Sequence, residues 1–176
     1  METVKQMNST LEKGCHMDIR LLELTQVSED EGHGQEFPVT CGYGIPLKTK
    51  VESYRPKIRV VSPQFTSLSS PCLGAEVNRS IRMFFVSCCL PITDTMALLE
   101  REEYRPIHPS ELLDLLNQTS FEQLYGHIVL PGVKMAGDDR QIMAFARIEE
   151  VSSCEIGIVQ EGRLIAPFWA IPCVPL

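Results

Sequence analysis

The residues of this chain with the clearest chemical potential are Cys41, in Thr-Cys-Gly-Tyr-Gly, and two histidines that follow it, His108 and His127. A thiol attacks only as the thiolate, so a nucleophilic cysteine needs a base within hydrogen-bond reach, and imidazole is the usual one. Cys41 with His127 or His108 therefore defines one expectation, a cysteine-dependent hydrolase. A second stretch with chemistry runs from Lys48 to Arg59. There Lys48, Lys50, Arg55, Lys57 and Arg59, with Tyr54 among them, face the single carboxylate Glu52. Such a positive stripe suits phosphate or an acidic protein surface. It is also a common way to keep a sheet edge soluble.

His127 stands in Gly-His-Ile-Val-Leu-Pro-Gly, and an early cysteine followed by a histidine opening a strand resembles the order found in papain-like cysteine proteases. The resemblance covers only the residues around these two positions and implies that His127 would take the Cys41 proton. That family seats its cysteine at a helix N-terminus, where the dipole lowers the thiol pKa. Here Gly42, Gly44 and Pro46 follow at once and oppose a helix. A second resemblance, to the rear half of a Nudix hydrolase, lies in the order of an apolar run (Arg82 to Leu90), an acidic bend (Glu100 to Glu103) and Pro-Ser-Glu-Leu-Leu-Asp-Leu-Leu. The glutamate-rich box that holds Mg²⁺ in that family has no counterpart between residues 30 and 80, so no ligands carry over and the assignment is set aside.

No metal or cofactor is expected. Cys15, His16, His33 and Cys41 lack the short paired spacings of a zinc site. Cys88 and Cys89 are adjacent, so on a strand they point to opposite faces. Asp138 and Asp139 follow Gly137 as ordinary turn residues.

The 176 residues carry a formal charge of −7, and its placement is uneven. Residues 1–90 hold ten Lys/Arg and ten Asp/Glu, whereas residues 91–176 hold six and thirteen. An acidic chain of this kind argues against a dedicated nucleic-acid binder, although a weak local site at residues 48–59 fits. Apolar runs fall far short of the about 18 to 20 residues needed to cross a bilayer. With no apolar leader and seven scattered cysteines, the expected location is the cytosol, with reduced thiols.

The elements that must position these groups are short. Residues 1–16 are read as an N-terminal arm and residues 17–176 as a single domain. Met17 to Val27 is a strand candidate, Ser28 to Gly34 an acidic break, and Gln35 to Pro46 a long surface loop, because Pro38, Gly42, Gly44 and Pro46 punctuate it. Strands are expected at Lys57 to Val61 and Ser80 to Leu90, with a serine-rich loop from Gln64 to Gly74. Helices follow: Thr95 to Glu103, capped by Thr93 or Asp94; a second opening at His108-Pro109 with Leu112, Leu113, Leu115 and Leu116 on its apolar side; and a turn through Tyr125. Four more strands, His127 to Leu130, Gln141 to Val151, Cys154 to Gln160 and Arg163 to Ile171, complete the chain. Pro167 should put the last one at an edge or a bulge.

The expected fold is α+β, a mostly antiparallel sheet of six to eight strands with two or three short helices packed on one face. The expected function is non-catalytic: an acidic, cytoplasmic protein acting by interaction with another protein, as an inhibitor, immunity, host-interaction or viral assembly factor. Glu100, Glu102 and Glu103 read as a solvated face. The Phe168-Trp169-Ile171 terminus must dock on its own core or on a partner.

Overall fold

Apolar residues at every second position put Phe37, Val39 and Cys41 on one face of an extended segment, and all three are buried while Pro38 and Thr40 are exposed. The expected loop at residues 35–46 is thus a strand up to Gly42. Glycine and proline punctuate it without breaking it, because among the described residues β2 pairs with β4 alone, which leaves Pro38 on an edge.

The computed structural model describes residues 24–26, 36–54, 57–71, 74–86, 88–124, 126–150, 153–159, 164–166 and 169–176. The N-terminal arm, most of the first strand candidate, the break at residues 28–34, Arg55, Pro167 and Phe168 lie outside them. In chain order the elements are β1 (Leu24–Gln26), β2 (Phe37–Gly42), α1 (Leu47–Ser53), β3 (Ile58–Val61), a 3₁₀ turn (Pro63–Ser67) and β4 (Glu76–Val86). There follow α2 (Ile92–Arg101), β5 (Tyr104–Pro106), α3 (Pro109–Gln118), a second 3₁₀ turn (Phe121–Gln123), β6 (His127–Lys134), β7 (Gln141–Glu150), β8 (Ser153–Val159) and β9 (Ile171–Pro175).

The fold is α+β, and its strands form two sheets. One runs β1-β4-β9-β5, with β2 paired to the N-terminal half of β4; the other runs β3-β8-β7-β6. All described strand pairs are antiparallel except β3 with β8. Ala170 stitches the sheets together, since its N–H donates to the His127 carbonyl and its own carbonyl accepts from Val129 N–H, both at 2.9 Å.

The last strand differs from expectation. Ile165 makes only an isolated bridge to Leu90, and the strand proper is Ile171–Pro175, between β4 and β5. A proline inside such a strand is tolerated because Pro172 turns its nitrogen towards β5. There Ile107, just past the end of β5, donates to the Pro172 carbonyl at 2.9 Å. β4 also ends early, at Val86, so Cys88 is half-buried and Cys89 exposed beyond the strand, not on its two faces.

Two apolar clusters organise the interior. The larger gathers β2, α1, α3 and the inner faces of β6 to β8; the smaller sits under α2, where Leu98 and Leu99 meet Phe84, Val86, Val129 and Ile171. Helix α2 begins directly after Pro91, one turn earlier than the Thr93 or Asp94 cap implied. Asp94 instead lies in the first turn, where its charge suits the helix dipole.

In β6 the register with β7 slips between Leu130 and Val133, so Pro131-Gly132 forms a bulge, with Gly132 at φ +72°. A Cβ at Gly132 would lie 2.9 Å from Met96 Sδ of α2. Gly132→Ala should therefore cost about 2 kcal/mol, from left-handed strain and crowding together. Urea denaturation of G132A and G132A/M96A checks this: the double variant should recover the steric part only, and an unchanged G132A midpoint would contradict the argument.

Candidate functional site

Helix α3 reads as amphipathic, yet every residue from Pro109 to Leu116 is buried. Its leucines face the larger core. Its polar side, Ser110, Glu111 and Asp114, is covered by α1, by the end of β2 and by the Tyr43 turn. Burying two carboxylates is tolerated only if each is paired and its lone pairs are filled, and both conditions are met.

The Asp114 carboxylate accepts from Lys50 Nζ and from Gly42 N–H (3.0 Å) on one oxygen and from the Tyr54 hydroxyl (3.1 Å) on the other. Lys50, 1 % exposed, also donates to Ser110 Oγ at 2.7 Å. Glu111, 0 % exposed, accepts both Nη groups of Arg105 at 2.9 Å, the Tyr43 hydroxyl, and His108 N–H at 2.6 Å, which caps the helix start. Arg79 Nε stands 3.8 Å from the same carboxylate.

Burial pushes the Glu111 carboxyl upward, but Arg105, Tyr43 and the His108 amide outweigh it and hold the group below the ordinary range. Burial and the Asp114 charge push the Tyr54 phenol up to about 12. His108 is lowered, by burial first and then by the Arg105 cation.

Ser110 and Lys50 have the contact of a serine–lysine pair, but the ammonium donates to the hydroxyl and is held by Asp114, so Lys50 offers no lone pair to take a proton.

The residues singled out in the sequence are distributed as follows. Cys41 is buried on β2, and burial with the Glu111 and Asp114 charges raises its thiol to about 11. His127 is exposed on β6 of the other sheet, opposite Arg147. It lines a cleft of about 200 Å³ with Phe145 and Trp169. His108 neighbours Arg105, Glu111 and Arg79. His127 is in the other sheet, and the Cys41 thiol donates to the Val39 carbonyl, not to either histidine.

The positive stripe is divided by α1, a helix of which Leu47 and Val51, at i and i+4, are the apolar signal in the sequence. It turns Lys50 inward and leaves Lys48 exposed. Tyr54 joins Asp114, Lys57 donates to the Asn117 carbonyl at 2.6 Å, and Arg59 is exposed. Lys50 is accordingly an interior residue and not part of a surface stripe. Among the described residues no group of three His, Cys, Asp or Glu side chains could hold a metal ion, and no helix is long and apolar enough to cross a membrane.

Sequence reading passed over a second cleft, of about 280 Å³, between α2, β5, the start of α3 and the β6 bulge. Arg105, His108 and Lys134 line it. Arg105 and Lys134 are isolated cations 29 positions apart, and nothing in the pattern joins them.

Removing one member of a buried ion pair strands the other. Lys50→Met should destabilise by about 3 to 5 kcal/mol, and K50M/D114N should recover a substantial part by removing the orphaned charge; chemical denaturation of the two variants tests this. Acidification should act through His108 and Glu111 in the same direction. Both have folded pKa values below the unfolded ones, so the unfolded state binds more protons and stability falls as pH drops. The loss begins below about 6.5 for His108 and below about 4.5 for Glu111. Stability measured against pH should show both phases, and His108→Gln should remove only the first.

Comparison with protein-family models, with curated proteins and with solved structures finds no match to this chain.

Proposed function

We propose that this chain acts without covalent catalysis of its own, by non-covalent interaction with another protein, in a reducing compartment such as the cytosol. The observation that carries the reading is how the polar groups are partitioned. Buried acids and bases are spent on one another inside: Lys50 on Asp114, and Arg105 with Tyr43 on Glu111. The charges left outside are of both signs: Lys48, Glu52 and Arg59 are exposed on α1 and β3, and Glu100, Arg101, Glu102 and Glu103 are exposed at the end of α2, where Arg101 pairs with Glu102.

Surface charge steers association and fixes its orientation more than it adds affinity. The thiol that an enzymatic reading needs favours its protonated form, buried beside two carboxylates. Free thiols at Cys41, Cys88, Cys89, Cys154 and Cys173 fit a reducing compartment.

The test is parallel affinity capture from native extract at low and moderate salt, with the wild-type chain, K48E/R59E and E100K/E102K/E103K. One stoichiometric protein partner, weakened about tenfold by one charge reversal at an unchanged melting temperature, is the expected result. Nucleic acid recovered in place of protein, or no partner for any variant, would overturn it. Thiol labelling gives an independent check: Cys89 should react quickly near neutral pH and Cys41 only on unfolding. Fast labelling of native Cys41 would reopen the hydrolase alternative.

A further inference from the structure

We draw no further inference here: the strongest candidate, the largely apolar cleft of about 200 Å³ between β6, β7, β8 and Trp169, carries nothing, because its one arginine, Arg147, is already held by Glu149 and Glu155 and nothing in the structure shows what covers it.

Discussion

An ammonium ion and two carboxylates withdrawn from water onto the polar side of α3 set a condition that the rest of the chain must satisfy. Each isolated charge would cost several kcal/mol to bury, so each draws a specific element towards it. Lys50 brings α1, Gly42 N–H brings the end of β2, Arg105 brings β5, and the Tyr43 and Tyr54 hydroxyls close the remaining acceptor positions. The interaction has consequences out of proportion to its net stabilisation. A well-packed apolar replacement of the whole group would be close to neutral, whereas loss of one partner exposes the desolvation cost of the other.

The same network reaches the surface at one place. Arg105 sits with its Nη groups on buried Glu111 and its side against the cleft, so the interior carboxylate fixes an exterior cation. The Pro131-Gly132 bulge of β6, which lies close to Met96, lines the same cleft. The buried network and the lining of this cleft therefore share Arg105. Changes behind the cleft should be felt inside it.

Much of the fold was legible in the sequence because it rests on short-range patterns. The strand-rich last third, the leucine face of α3, its Pro109 start and the solvated Glu100 to Glu103 face all follow from periods of two or 3.6 residues and from turn chemistry. The misreadings have physical causes. Residues 35–46 carry four helix- and strand-breaking residues, yet alternating Phe37, Val39 and Cys41 against β4 outweighs them, since an edge strand asks for hydrogen bonds on one side only. In the Lys48 to Arg59 run the charges dominate the pattern, and α1 shows only as Leu47 and Val51 four residues apart. The final strand lies later than the expected Arg163 to Ile171, at Ile171–Pro175 between β4 and β5, a central position that its prolines do not advertise.

What the sequence by itself determined is the fold class, the approximate position of most elements and the uneven layout of charge, since each depends on residues within one turn or a few strand positions of one another. What only the tertiary structure decided is which charges face water. Lys48 and Lys50 are two residues apart and chemically identical, yet one is exposed and the other lies sealed against Asp114. Cys41 and His127, the pair most suggestive in one dimension, stand in different sheets, while Arg105 and Lys134, which suggest nothing, line one cleft. The reason is desolvation: whether a charge is buried is settled by what surrounds it from every side, and those surroundings come from segments far apart in the chain.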